Sequence, residues 1–190
     1  GKKISVTGGS PARMGEIQIW DVAAKKLELS KSLTFDTIYG ASWSPDGRKL
    51  AFISNSNGTL ALWLCDADGG NARALVQPEQ GVCQSAAWSP DGATIALYMI
   101  GPTETQDLWL VNVVSGALTR LTDSLPVGLR GRLLAPKKIV YPSFDGLSIH
   151  AYLYRPARQV SGARCPAVLL VHGGPTSQFY DALDPLAQFL

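Results

Sequence analysis

The strongest constraint on this chain is a repeat. Ala41-Ser42-Trp43-Ser44-Pro45-Asp46-Gly47 recurs as Ala86-Ala87-Trp88-Ser89-Pro90-Asp91-Gly92, 45 residues further on. An alternating apolar run follows each copy, Lys49 to Ser54 and Thr94 to Ile100. Next comes a run carrying a tryptophan, Leu60 to Leu64 and Asp107 to Val111, with Trp63 and Trp109 46 residues apart. An earlier run of this kind, Glu16 to Asp21, puts Trp20 43 residues before Trp63. Each unit closes with a turn and a short apolar stretch, Asp68-Gly69-Gly70 to Leu75 and Ser115-Gly116 to Leu121. Such a period with several short strands per unit is the signature of a β-propeller blade. Ser-Pro-Asp-Gly sets proline second and glycine fourth, as a type I turn prefers. The alternation on either side predicts half-buried hairpins, and the tryptophans offer large faces for blade-on-blade packing. A four-stranded blade cannot cover both of its own faces. The repeat therefore predicts stacked neighbours, roughly two full blades and part of a third, where closed propellers have about four to eight.

Composition supports turns and a core, and excludes several partners. Glycine and proline together make 31 of the 190 residues, and 46% of the chain is hydrophobic. Seventeen basic and fifteen acidic residues leave a net charge of +2. No charged field marks nucleic acid or an anionic membrane as a partner, and no apolar run approaches the roughly 18 residues of a spanning helix. Cys65, Cys83 and Cys165 are odd in number and lack CxxC spacing, so they are expected as small buried hydrophobes. Asp46 and Asp91 belong to the repeated turns. Asp66 and Asp68 beside Gly69 hint at a calcium loop but lack the EF-hand spacing and its closing glutamate. No metal and no cofactor is expected. The tryptophans are expected to pack rather than to stack bases, because no basic stripe accompanies them.

After Leu121 the period is lost. Thr122 to Leu134 holds Pro126, Gly128 and Gly131 and reads as a linker. From Lys137 a new alternation begins, and two strand-like runs flank Asp145-Gly146, a hairpin signal. His150 falls inside the second run as a surface or packed residue. Arg155 to Arg164 is expected to be a loop. Pro166 to Val171 is continuously apolar, which predicts a strand buried on both faces of a parallel sheet, and it ends in His172-Gly173-Gly174-Pro175. Tyr180, Leu183, Leu186, Ala187 and Leu190 share one face of an expected helix. The expected division is residues 1–121 as a partial β-propeller, 122–136 as a linker and 137–190 as the start of a second domain. The fold class is mainly β: two to three blades, followed by the N-terminal strands and first helix of an α/β unit.

The segments WSPDG with DADGGNARAL, and WSPDG with LWLVNVVSGALTRLT, resemble the propeller repeats of TolB-type proteins and of prolyl oligopeptidase family peptidases. GEIQIWDVAAKKLELSKSL is more similar to an ordinary WD-repeat blade. YPSFDGLSIHAYLYRP followed by PAVLLVHGGPTSQ closely resembles the start of the α/β-hydrolase domain of the prolyl oligopeptidase family, nearest to its acylaminoacyl-peptidase and dipeptidyl-peptidase-like branches. The order of these motifs is more specific than any one of them. The resemblance implies a serine peptidase that cleaves short peptides through an acyl-enzyme, with the propeller restricting access and a peptide as its partner.

Acyl transfer builds negative charge on the carbonyl oxygen, and preorganised N–H donors stabilise it. In α/β-hydrolases one donor follows the nucleophile and another comes from an HGG-type loop. Gly174, with Gly173 beside it, is thus the candidate oxyanion loop, and His172 its support by hydrogen bonding. His172 lies too early to be the base, since the triad of this fold runs Ser, Asp, His. His-Gly-Gly-Pro also suits a plain tight turn. No GxSxG occurs, and the chain has two histidines. The residues present supply one oxyanion donor and no triad. The chain is therefore expected to be an inactive interior piece of a longer enzyme. Two alternatives stand beside this: a non-catalytic WD-repeat or TolB-like interaction module, and an esterase of the α/β-hydrolase fold.

Overall fold

Short turns and alternating apolar residues make strands the main element among the described residues. The structure, a computed structural model, describes residues 2–10, 13–32, 37–156, 166–174 and 177–190. Strands β1 (Lys3–Ser10), β2 (Arg13–Asp21) and β3 (Lys26–Ser32) form an antiparallel sheet in that order. Two four-stranded antiparallel blades follow. The first holds β4 (Thr37–Trp43), β5 (Lys49–Ser56), β6 (Thr59–Asp66) and β7 (Arg73–Val76). The second holds β8 (Val82–Trp88), β9 (Thr94–Gly101), β10 (Glu104–Asn112) and β11 (Leu118–Arg120). One parallel bridge, Leu60 to Val82, joins them. After a single 3-10 turn at Val127–Leu129, β12 (Lys137–Pro142) and β13 (Ser148–Leu153) form a separate hairpin, and α1 (Pro185–Phe189) ends the chain.

The repeated turn has the same chemistry in both copies. Ser44 Oγ donates to Asp46 Oδ1 at 2.7 Å and accepts from the Lys49 amide at 2.9 Å. Ser89 does the same with Asp91 at 2.6 Å and Thr94 at 3.0 Å. Gly47 and Gly92 close the turns on the serine carbonyls and sit at φ of 69° and 70°, where a Cβ is costly. The aspartates of the motif thus fasten their own turns.

The middle blade is buried on both faces. Leu50 and Phe52 of β5 join Ile17, Ile19 and Ile38 on one side, while Ala51 and Ile53 join Leu62, Val82, Ile95 and Leu97 on the other. The β6 residues divide likewise, with Cys65 on the first side and Leu60, Leu62 and Leu64 on the second. Phe52 stacks on Trp63 with centroids 6.5 Å apart. Trp88 Nε1 donates to the Ser42 carbonyl at 3.1 Å and ties β8 to β4. Cys65 and Cys83 are buried free thiols in this core. Burial raises both, and Cys83 is pushed up to about 12. Cys165 and most of the 155–164 loop lie outside the described residues.

Two expectations for the C-terminal part are corrected. Pro166 to Val171 is not a buried strand. It pairs with no described strand, and Leu169 is 80% exposed. A β-prone apolar run becomes a strand only when a neighbour completes its ladder, and β12 and β13 pair only with each other. Nor is Tyr180 to Leu190 one helix. Pro185 favours extended backbone at Asp184, whose φ and ψ are −106° and 103°. The Asp184 carboxylate then accepts from the Leu186 and Ala187 amides at 2.9 and 3.1 Å and starts the five-residue α1 there.

The first strand of each complete blade carries a bulge at the same repeat position. In β4 the register breaks at Gly40, and in β8 it breaks across Ser85 and Ala86. Gly40 and Ser85 both have positive φ, 47° and 56°. Nothing lies within 4 Å of a Cβ built on Gly40, so only its backbone conformation resists a side chain. Gly40→Ala is expected to lower the unfolding free energy in urea by about 1 kcal/mol, and Ser85→Gly to raise it by about 0.5–1 kcal/mol. Equal midpoints for both variants and the parent would refute this reading of the bulges.

Candidate functional site

The HGG segment follows the unpaired apolar run and is exposed. His172 Nδ1 lies 3.1 Å from the Gly173 carbonyl oxygen, and its ring meets the Phe179 ring edge-on with centroids 6.1 Å apart. Gly174 has φ of 97°, and a Cβ there would stand 3.2 Å from Ser177 Cβ, whereas a Cβ on Gly173 would meet nothing within 4 Å. Position 174 therefore requires glycine on two grounds, conformation and space. Pro175 lies outside the described residues.

Phe179 and its neighbours bring this loop to the propeller. The Tyr180 hydroxyl is 3.1 Å from that of Tyr39 on β4, and the hydrogen bond, with burial, pushes Tyr180 up to about 12. The Asp181 amide donates to the Gly58 carbonyl at 2.9 Å, in the turn between β5 and β6. The Asp181 side chain is fully buried and pairs with Lys138 of β12 at 3.0 Å. Lys138 also donates to Thr59 Oγ1 at 2.7 Å and lies 5.8 Å above the Tyr152 ring. Burial, then the Asp181 charge, raises the Tyr152 hydroxyl. Beside this seam a cavity of about 540 Å³ opens between β4 and β8, lined by Tyr39, Gly40, Ser85, Ala86 and Tyr180 among others.

A second polar centre anchors the exit from the blades. Asp107, 1% exposed in the middle of β10, accepts from Arg120 at 2.5 Å, Thr122 at 2.7 Å, and the Ser124 amide and hydroxyl at 2.9 Å. Burial pushes its carboxyl up, but these four donors outweigh it and hold the group well below the usual carboxylate range. Arg120 also bridges to Glu104 at 3.3 Å and Asp123 at 3.2 Å and lies 5.6 Å above the Trp109 ring.

The remaining sequence candidates occupy simpler places. Asp66 holds Lys49 at 2.9 Å and Asn71 at 2.6 Å, and Asp68 accepts from the Gly70 amide at 2.8 Å. Both thus serve the β6–β7 turn. His150 is exposed on β13 opposite Val140. The structure brings His172 to Gly174 near Phe179 and the cavity, and it leaves His150 on the outer surface. Asp107 was overlooked in the sequence, though a carboxylate two residues before Trp109, where Ala61 precedes Trp63, was a signal.

No family model matches the chain. The uncharacterized peptidase YuxL of Bacillus subtilis is 45% identical over 67 residues, 34% of this chain and 10% of that protein. The Tol-Pal system protein TolB of Francisella tularensis is 27% identical over 121 residues, 63% of this chain and 28% of that protein. The acylaminoacyl peptidase of Pyrococcus horikoshii superposes with a TM-score of 0.73 at 18% identity, over 99% of this chain and 29% of that one. In fold, the chain is similar to the structures of the acylaminoacyl peptidase and of a prolyl endopeptidase, the second with a TM-score of 0.63 at 14% identity. It spans less than a third of the length of each of these relatives. The superposition on the acylaminoacyl peptidase covers 99% of the chain, while the TolB match covers 63%.

The Asp107 centre has a pH signature. Its native pKa is depressed, so its contribution to stability is complete above the unfolded carboxylate value of about 4 and is lost as pH falls towards the native value. Asp107→Asn is expected to cost about 2–3 kcal/mol at pH 7. It is also expected to flatten the loss of stability between about pH 4 and pH 2. Urea unfolding across that range checks both, and parallel pH profiles for parent and variant would contradict the assignment.

Proposed function

We propose that residues 1–190 are part of a serine peptidase of the prolyl oligopeptidase family, with 1–121 as blades, 122–136 as linker and 137–190 as the start of the hydrolase domain. The observation that carries this reading is that one peptidase architecture accounts for 99% of the chain, blades and HGG segment alike. The 45% identity to a protein described as a peptidase supports it independently.

In this reading the substrate is a short peptide, admitted past the propeller. Its scissile carbonyl is attacked by a serine, and the Gly174 N–H, with Gly173 beside it, stabilises the resulting oxyanion. His172 holds the loop from its Nδ1 side. Nucleophile, acid and base must come from a GxSxG elbow and a later aspartate and histidine, and the 190 residues contain no GxSxG. The chain by itself is therefore inactive. A second reading, a non-catalytic interaction module, is favoured by the TolB match over 121 residues. It leaves the HGG segment without a role.

Labelling with a fluorophosphonate that traps active serines separates the two. A protein that contains these residues together with a GxSxG elbow is expected to label stoichiometrically, and the 190-residue chain not at all. In that longer protein Gly174→Ala keeps the N–H but, at φ of 97° and against Ser177, shifts it off the oxyanion, and is expected to lower kcat by up to about 10²–10³ with KM little changed. A longer product that carries the elbow yet stays unlabelled would favour the interaction module. Labelling of the 190-residue chain would refute the assignment of the nucleophile to other residues.

A further inference from the structure

We propose that Tyr39 and Tyr180 form an oxidative crosslinking site, at which a one-electron oxidant of the peroxidase class joins the two rings and staples the C-terminal segment to the middle blade. The proposal does not rest on the peptidase reading.

The contact joins two anchored pieces of chain. Tyr39 sits on β4 opposite Ile53 of β5, so its backbone is held in the middle blade. Tyr180 is held by the residues that follow it. The Asp181 amide donates to the Gly58 carbonyl at 2.9 Å, and the Ala182 amide turns back to the Tyr180 carbonyl at 2.8 Å. The two hydroxyls meet 3.1 Å apart, although 141 residues separate them in sequence. Each tyrosine is 38% exposed. An oxidant therefore reaches both rings while the fold keeps them together. Tyr98 and Tyr141 are as exposed, at 43% and 42%, but among the described residues no hydrogen bond joins either to another tyrosine.

The chemistry is that of the phenol. Loss of one electron and the hydroxyl proton from each ring leaves two phenoxyl radicals, whose unpaired electrons are shared between the oxygen and the ring carbons beside it. One such carbon from each ring forms the new C–C bond. The hydrogens on those carbons move to the oxygens and restore both phenols. The pair gives up two electrons and two protons in all, and one hydrogen peroxide takes them up as two waters. In the product the hydroxyls flank the new bond as neighbours, the relation they already have in the native contact. The bond closes a loop of 141 residues, and a crosslink across so long a loop removes freedom from the unfolded chain.

The test is treatment of the folded 190-residue chain, kept dilute, with a peroxidase and limiting hydrogen peroxide. The monomer is expected to lose the mass of two hydrogens, and digestion to yield peptides joined at Tyr39 and Tyr180 as the main intramolecular product. Tyr39→Phe and Tyr180→Phe are each expected to remove that product. Urea is expected to abolish its preference over other tyrosine pairs, because the contact is made by the fold. The crosslinked monomer is expected to unfold at a higher urea concentration than the untreated chain. Crosslinks only between molecules, a main product that joins other tyrosines, the same pattern of products in urea, or an unchanged urea midpoint would overturn the proposal. The peptide map of the parent needs no variant and stands if neither phenylalanine variant folds.

Discussion

The blade built from β4 to β7 is apolar on both faces, and the rest of the structure depends on covering it. Six consecutive residues of β5, Leu50 to Asn55, are buried. Such a strand is stable only between two others, because each exposed Leu, Ile or Phe would forfeit about 1.5–3 kcal/mol of burial. The β2 side supplies Ile17 and Ile19, and the β8–β10 side supplies Val82, Ile95, Leu97 and Val111. Stacking is thus a consequence of residue pattern. The polar ends of the same strands are tied down separately, Asn55 by the Gly58 amide and Lys49 by Asp66 and Ser44.

The same logic accounts for the polar centres. Stacked blades leave the chain to depart along a buried strand, and Asp107 marks that place. It gathers donors from Arg120, Thr122 and Ser124, the residues that carry the chain off β11. Gln188 of α1 continues the tie by accepting from the Leu134 amide and donating to the Leu134 carbonyl. The segment after the blades therefore lies along a line of hydrogen bonds, which positions β12 for the Lys138–Asp181 pair.

Much of the propeller was legible because its determinants are local. The Ser-Pro-Asp-Gly turns are closed by their own serine and aspartate, and tryptophan spacing marked the packing strands. The bulges were half legible. Gly40 is a visible signal, but Ser85 in the equivalent place is an ordinary serine, and only its backbone conformation reveals the shared geometry. The C-terminal part was least legible. Apolar sequence at Val168 to Val171 is the same whether or not a ladder partner is at hand, and the helical period of 180 to 190 is overruled by Pro185. The candidate loop itself was visible at Gly174. Its surroundings were not, because Tyr180 and the Asp181 amide find Tyr39 and Gly58 more than a hundred residues away.

The hairpin tip between β5 and β6 shows how a local turn becomes a tertiary constraint. Asn57 and Gly58 join Ser56 to Thr59 with positive φ at both central residues, 51° and 81°, the two-residue turn whose twist matches its strands. That requirement alone would admit asparagine or aspartate at position 58. Packing does not. A Cβ on Gly58 would stand 2.5 Å from the Tyr152 hydroxyl and 3.0 Å from the Phe179 carbonyl, and the Gly58 carbonyl itself accepts from Asp181. One glycine therefore answers to the hairpin, to β13 and to the segment that leads from the HGG loop. Beside this turn Lys138 reaches both Thr59 and Asp181 and gives the buried carboxylate its counter-charge. The segment leading from the HGG loop thus meets the propeller at a glycine turn of the middle blade.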